Sequence, residues 1–133
     1  MSDLAMYSDT LTIAGTTEIG TRVDLSDYNL DGYFWVQVET ITATTGLGAV
    51  DLEIAPAMRN AAGTWAEGQG GQVMIAENID LQSAGDIMIY DLNAEMATSG
   101  TVAKFIGAEA FYVYLTSGGG ADAGTIEVKV FMR

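Results

Sequence analysis

The stretch YFWVQVETITA, Tyr33–Ala43, decides the fold class of this chain because its apolar residues recur at every second position. Phe34, Val36 and Val38 point to one face of an extended strand, while Trp35 stands among polar residues on the other face. A repeat of two residues is typical of a half-buried β-strand and differs from the repeat of about 3.6 residues of an amphipathic helix. Because the second face also carries a large aromatic ring, we expect that face to be partly covered.

The same alternation recurs along the chain. The stretches AVDLEIA (Ala49–Ala55), AFYVYLT (Ala110–Thr116) and TIEVKVFMR (Thr125–Arg133) each place apolar residues on one face. About eight or nine such strands follow one another with essentially no helical periodicity. The pattern predicts an all-β fold, an antiparallel β-sandwich that is jelly-roll-like. We expect Pro56 to end its strand and Arg59–Gln72 to form a long glycine-rich loop.

Length and composition fit one folded domain. The 133 residues are 49% hydrophobic, which is enough for one core, so we predict a single β-sandwich domain over residues 1–133. A short extended arm is expected at its N-terminus, at about residues 1–7. The first residues, MSDLAM, lack the basic and apolar regions of a signal peptide, and no apolar run approaches the roughly 20 residues of a membrane helix. We expect neither a secretion signal nor a membrane span.

The composition favours a binding or assembly module over an enzyme. The chain has no histidine, no cysteine and only two lysines, whereas general bases, nucleophiles and transition-metal ligands are drawn largely from these residues. We therefore predict no enzymatic activity and no cofactor. The formal net charge is −13, and the five basic residues are dispersed. This distribution predicts neither nucleic-acid binding nor attraction to an anionic membrane.

Three patterns that are typical of chemical sites have simpler interpretations here. Asp51 and Glu53 share the outward face of one strand, but a glycosidase pair needs a cleft that raises the pKa of one carboxyl group. Asp80, Asp86 and Asp91 bracket a turn without matching the EF-hand pattern of calcium ligands, and aspartate favours turns in any case. The GQGG tract lacks the Lys and Ser/Thr of a P-loop. We predict no catalytic, cofactor-binding or metal-binding residues.

Aromatic side chains outside the predicted core are the remaining indication of function. Packing under the Arg59–Gln72 loop, contact with another subunit and stacking against a sugar would each explain them, and the sequence leaves all three open. Aromatic residues are enriched in protein interfaces. The residues that we predict at a partner interface are Leu4, Met6, Tyr7, Tyr33, Trp35, Trp65, Tyr112 and Tyr114.

Five stretches define the overall layout of the chain, and a glycine-rich turn and a closing apolar strand follow them. The stretches are SDTL (Ser8–Leu11), IGTRVDL (Ile19–Leu25), GYFWVQVET (Gly32–Thr40), VDLEIA (Val50–Ala55) and FYVYL (Phe111–Leu115). In this layout the chain resembles the small β-sandwich capsid cement, or decoration, proteins of tailed bacteriophages. The resemblance extends as a pattern over nearly the whole chain and contains no catalytic motif.

The resemblance implies a structural role in a virion. It implies a homotrimer on the outer capsid surface, at local three-fold positions, that binds the major capsid protein and clamps neighbouring subunits. Residues Met1–Tyr7 would then add a strand to the sheet edge of a neighbour. The alternative that the residues leave open is a carbohydrate-binding or adhesin β-sandwich module, such as a head fibre or tail component, that uses Trp65 and tyrosines.

Overall fold

The structure consists of two β-sheets packed face to face. It is a computed structural model that describes residues 7–24, 34–67, 72–92 and 109–132. Within these residues the chain forms nine strands, all paired antiparallel, as the period-two pattern predicted. The strands are β1 (Tyr7–Ala14), β2 (Ile19–Asp24), β3 (Phe34–Thr45), β4 (Val50–Arg59), β5 (Trp65–Glu67), β6 (Val73–Ile79), β7 (Ile87–Asp91), β8 (Ala110–Ser117) and β9 (Ala123–Met132).

The strand order is that of a jelly roll. Sheet A has the order β1-β9-β3-β7, and sheet B has the order β2-β8-β4-β5, with β6 also paired to β4. When the short strand β5 is set aside, the strands pair from the outside of the sequence inward: β1 with β9, β2 with β8, β3 with β7 and β4 with β6. This nesting results when one long antiparallel ribbon is wrapped into a sandwich. The jelly-roll prediction is therefore confirmed.

The core lies between the inner faces of the two sheets. Val36 and Val38 of β3 and Val128 of β9 are fully buried on the side of sheet A, and they face Leu52 of β4 and Leu115 of β8 on the side of sheet B. Side chains alternate between the two faces of a strand. The neighbours of these core residues in the sequence therefore lie on the outer faces, where any partner would meet them.

Two contacts in the interior join sheet A to strand β8 of sheet B and to the segment that follows β6. Phe34 of β3 meets Phe111 of β8 edge to face, with ring centroids 6.0 Å apart and an interplanar angle of 74°. Such a pair contributes about 0.5–1.5 kcal/mol beyond the burial of its area. The buried hydroxyl of Thr40 donates to the carbonyl of Leu81 at 2.8 Å. This hydrogen bond satisfies both buried polar groups and holds the segment after β6 against β3.

Pro56 does not end its strand, contrary to the sequence-based expectation. Strand β4 continues to Arg59, and Pro56 lies within it opposite Phe111 of β8. On the side of β4 that faces away from β8, the pairing partner of β4 changes at Pro56. The segment Val50–Ile54 pairs with β6 and the segment Ala57–Arg59 pairs with β5, so no described residue of β5 or β6 pairs with Pro56. A proline is tolerated where its missing N–H leaves no ladder bond unmade.

The expected loop Arg59–Gln72 is partly regular structure. Arg59 ends β4, a tight turn over Asn60–Thr64 follows, and Trp65 begins β5, which pairs back onto β4. The turn is closed by Asn60, whose side-chain oxygen accepts from the N–H groups of Ala62 and Thr64 at 3.0 Å each. Asparagine side chains stabilise turns by such bonds. Trp65 is therefore held on a hairpin rather than on a free loop.

The predicted N-terminal arm lies almost entirely outside the described residues. Tyr7 is the first described residue, and it already begins β1. Among the described residues, no helix is long and apolar enough to cross a membrane.

The ladder between β3 and β9 contains a tightly packed glycine. Two register shifts interrupt the ladder after Thr40. In this region Gly124 of β9 pairs with Ala43 of β3 and is buried. A Cβ atom on Gly124 would lie 2.4 Å from the carbonyl oxygen of Thr42 and 3.0 Å from Cδ1 of Leu47. Any side chain at this position would therefore force the strands apart.

We expect the substitution Gly124→Ala to lower the free energy of unfolding by about 1–3 kcal/mol, the usual cost of overpacking an interior. Gly120→Ala is the matched control because no atom lies within 4 Å of the Cβ position at Gly120. That control should change stability by less than about 0.5 kcal/mol. Urea denaturation of the two variants and the parent chain measures both values. Equal stabilities for the two variants would contradict the close approach at Gly124.

Candidate interaction surface

The outer face of sheet B gathers aromatic and arginine side chains because of strand register. Arg22 of β2 lies opposite Tyr112 of β8, which in turn lies opposite Ala55 of β4. One row further along, Tyr114 of β8 lies between Gly20 of β2 and residue 53 of β4. Small neighbours stand beside both tyrosines, so the rings have room to lie flat on the sheet.

The two tyrosine rings form one stacked unit. Tyr112 and Tyr114 are two residues apart on the same face, with ring centroids 5.6 Å apart and an interplanar angle of 21°. Tyr114 also lies across Gly20. A Cβ atom on Gly20 would lie 2.5 Å from Cδ1 of the Tyr114 ring. A ring that covers a strand glycine replaces the packing that the glycine lacks, so Gly20 allows the tyrosine to lie flat.

Trp65 joins this group from the β4–β5 hairpin. It pairs with Arg59, and the Cζ atom of Arg59 lies 5.3 Å from the centroid of its indole ring. The Cζ atom of Arg22 lies over the same ring at 4.4 Å. Nε of Arg59 also donates to Glu109 at 2.8 Å. Both arginines are within the range of cation–π attraction, which favours a fixed position for the indole.

We call the set Arg22, Arg59, Trp65, Tyr112 and Tyr114 the aromatic face. The sequence singled out its three aromatic members but missed its two arginines. The sequence did contain a signal for Arg22. Because Val23 lies in the core, alternation along β2 places its neighbour Arg22 on the outer face. The contact with Trp65 depends on the hairpin, which the sequence did not predict. Tryptophan, tyrosine and arginine are the residues that contribute most often to binding energy in protein interfaces.

An acidic group borders the aromatic face. Glu53 of β4 lies beside Tyr114 and is half-buried. Burial, and then repulsion from Glu18 and Asp51, raises the pKa of the Glu53 carboxyl above its ordinary value. Glu18 accepts a hydrogen bond from Nε2 of Gln72 at 3.0 Å. The repulsion shows that negative charge is concentrated at this side of sheet B.

The other predicted interface residues do not join the aromatic face. Trp35 lies on the outer face of sheet A, in one row with Phe131 of β9 and Asp91 of β7. Leu4, Met6 and Tyr33 fall outside the described residues. The aromatic predictions therefore divide between two sheets, and only those of sheet B are brought together.

Tyr7 lies at the corner where β1 of sheet A meets β2 of sheet B. Its hydroxyl contacts Oγ1 of Thr21 and donates to Oδ2 of Asp9 at 3.3 Å, and Thr21 donates to the same carboxylate at 2.9 Å. Burial is the main reason why the pKa of Tyr7 is raised. These contacts connect the two sheets at their edge, so Tyr7 has a role within the fold.

Three carboxylates of the acidic patterns considered in the sequence accept hydrogen bonds from backbone N–H groups. Oδ1 of Asp51 accepts from the N–H of Asn78, which has a left-handed backbone with φ of 53°, at 3.0 Å. Asp80 and Asp86 accept from N–H groups of the turn between β6 and β7. Across the described parts of the chain, no group of three or more His, Cys, Asp or Glu side chains is arranged to hold a metal ion.

Comparison with known proteins identifies no relative. No protein-family model matches the chain, and no curated protein matches its sequence. Among solved structures, the chain is similar to the Yersinia pseudotuberculosis-derived mitogen, with 10% identity, coverage of 96% of this chain and 85% of that chain, and a TM-score of 0.42. It is similar to a Sulfurospirillum deleyianum protein at 8% identity, with coverage of 97% and 99% and a TM-score of 0.44.

A third similar structure is latent aurone synthase, a polyphenol oxidase, at 11% identity and a TM-score of 0.45. The alignment covers 92% of this chain and 25% of that protein, so the chain spans a quarter of its length. At these identities and TM-scores, the likenesses carry no argument about function or family.

We expect Glu53→Gln to stabilise the protein at neutral pH. A carboxyl group whose pKa is raised by folding stabilises the folded state at low pH, and this contribution is lost as the pH rises through the raised value. The substitution removes the repulsion, so the free energy of unfolding should rise by roughly 0.5 kcal/mol at pH 7. At a pH below the ordinary range of glutamate, near about 3, the variant and the parent chain should be equally stable. Thermal unfolding across this pH range measures the difference. A constant difference at all pH values would contradict the assignment.

Proposed function

We propose that this protein is a structural capsid cement protein. It binds the outer surface of a tailed-phage head as a homotrimer and stabilises the contacts between major capsid protein subunits, without enzymatic activity. The observation that carries the proposal is the aromatic face, because Trp65, Tyr112 and Tyr114 lie with two arginines on one sheet. The resemblance to phage decoration proteins supplies the identity of the partner.

The aromatic face has the properties of a prepared protein-binding surface. The tyrosines are stacked on each other, and the indole of Trp65 lies under the guanidinium group of Arg22 at 4.4 Å. Side chains that are already ordered lose little conformational entropy when a partner binds. Backbone pairing of β2 with β8, of β8 with β4 and of β4 with β5 holds the five positions in register. A partner therefore meets a surface that needs little rearrangement.

A cement function requires binding and no reactive side chain. A protein that binds the assembled lattice but not free subunits shifts the equilibrium toward the lattice by mass action. Three copies in one trimer engage three sites at once, so individually weak contacts add up through effective concentration. The net charge of −13 limits association of the free chains with one another before they reach the capsid.

The carbohydrate-binding alternative has less support from the geometry of Trp65. Jelly rolls occur in lectins as well as in viral capsid proteins, so the fold does not separate the two functions. A sugar that stacks on an aromatic side chain needs access to a ring face. Two guanidinium groups lie over the ring of Trp65, at 4.4 and 5.3 Å from its centroid. This arrangement favours contact with protein over contact with a sugar.

The direct test is co-sedimentation of the purified chain with heads of its source phage from which this protein has been removed. We expect saturable binding at a fixed ratio per capsomer. Arg22→Ala and Trp65→Ala should each weaken binding by about tenfold or more, the effect of removing one strong contact residue. Lys129→Ala removes one positive charge from the outer face of sheet A, so it is the matched control and should bind like the parent chain.

Two outcomes would contradict the proposal. One is the absence of saturable binding to heads, and the other is an equal loss of binding in Lys129→Ala, which would indicate a general effect of charge. A saturable change of tryptophan fluorescence with a sugar that disappears in Trp65→Ala would favour the carbohydrate-binding alternative instead.

Sedimentation equilibrium tests the trimer, since three copies of the 14.0 kDa chain are expected to sediment together.

A further inference from the structure

Strand β7 exposes apolar side chains at the edge of sheet A. Ile87, Met88 and Ile89 follow one another and are 48%, 43% and 56% exposed. Ile41 on the neighbouring strand β3 is 42% exposed. An exposed apolar edge strand can pair with another chain, and proteins ordinarily protect such edges by keeping them short or by charges, prolines or bulges. The exposed stretch of β7 carries none of these at its centre, so it requires an explanation.

The backbone of β7 is oriented to accept a further strand. The N–H of Thr40 donates to the carbonyl of Asp86 at 2.8 Å, which shows that Thr40 directs its backbone groups toward β7. Backbone groups of a strand point alternately to its two neighbours. Val38 therefore also faces β7, bonded to its register partner Met88. The N–H and C=O groups of Ile87 and Ile89 then point away from β3, to the side where no described strand is paired.

The charges around this edge are negative. Asp86 precedes β7, Asp91 ends it, and Glu39 of β3 lies opposite Ile87. Among the described residues, sheet A carries one basic side chain, Lys129 of β9, which lies opposite Gln37 of β3 and is paired with Glu127 at 3.3 Å. An apolar centre with acidic ends complements a segment that is apolar in the middle and basic at its ends.

We infer that the edge of β7 binds an extended segment of another protein, apolar at alternate positions and flanked by Lys or Arg, by β-strand addition. The new strand pairs with the backbone of Ile87 and Ile89, and its basic ends lie near Asp86 and Asp91. Strand addition of this kind obtains affinity from main-chain hydrogen bonds and specificity from alternate side chains. This edge belongs to sheet A and is separate from the aromatic face, so the inference does not depend on the proposed function.

A second copy of this chain fits the edge less well. Two copies paired antiparallel along β7 bring the Asp86 end of one strand to the Asp91 end of the other. Like charges on paired strands are destabilising, and each copy carries a net charge of −13. The same charges attract a basic segment.

The test uses two fluorescein-labelled peptides with the core Thr-Val-Thr-Val-Thr, one flanked by two lysines at each end and one by two glutamates. Fluorescence anisotropy with the full chain measures their affinities. We expect the lysine-flanked peptide to bind at least about tenfold more tightly, with the difference shrinking at high salt. Ile89→Pro removes one N–H from the open side of β7 and leaves the ladder with β3 in place, so it should weaken binding by about tenfold.

Ile89→Lys is the second variant, because it keeps the backbone N–H and repels the lysine-flanked peptide; it too should weaken binding. Met58→Thr is the control, since it removes a side chain of sheet B that is 41% exposed, and it should bind like the parent chain. The inference is overturned by equal affinities for the two peptides, by unchanged binding in both Ile89 variants, or by no binding at about 1 mM peptide. Self-association that is lost in the Ile89 variants, without peptide binding, would overturn it in favour of a second copy.

Discussion

The packing of two alternating inner faces against each other is the constraint on which the whole molecule depends. Phe34, Val36 and Val38 of β3 are buried because they face β4 and β8 across the sandwich. A shift of one residue in any ladder would exchange the two faces of the shifted strand. In β3, such a shift would place Val36 and Val38 in water and Trp35 in the core. Register is therefore fixed strongly. The fixed register also fixes the outward positions of Arg22, Tyr112 and Tyr114. Packing of the core therefore determines which side chains lie on the outer face of sheet B.

The strands and their inward faces were predictable from sequence because alternation is a local signal. The strand bounds that the structure gives for β3, β8 and β9 agree closely with the stretches Tyr33–Ala43, Ala110–Thr116 and Thr125–Arg133. The path of β4 was not predictable in the same way. From the sequence, Pro56 was expected to end the strand. The strand continues because β4 changes its pairing partner from β6 to β5 at Pro56. That change depends on residues far apart in sequence.

The candidate site was predictable in part for the same reason. Tyr112 and Tyr114 were recognised because they alternate with core residues of one strand. Arg22 and Trp65 are 43 positions apart in the numbering of the chain, and no local pattern connects them. Their contact at 4.4 Å follows from the β4–β5 hairpin, which reaches back over sheet B. From composition we predicted a surface for contact rather than a catalytic site, and composition carries no information about where such a surface lies.

The nesting of strands has a consequence for how the chain reaches its fold. Strand β9 lies between β1 and β3, so two strands from the first third of the sequence share a neighbour from its end. During synthesis β1 and β3 emerge long before β9, and their facing edges have no native partner until then. A topology dominated by such distant pairings folds slowly, over milliseconds to seconds, because the chain must close long loops before it gains contacts. Repulsion between the acidic residues spread along the chain then disfavours pairing of these edges with one another before β9 is available.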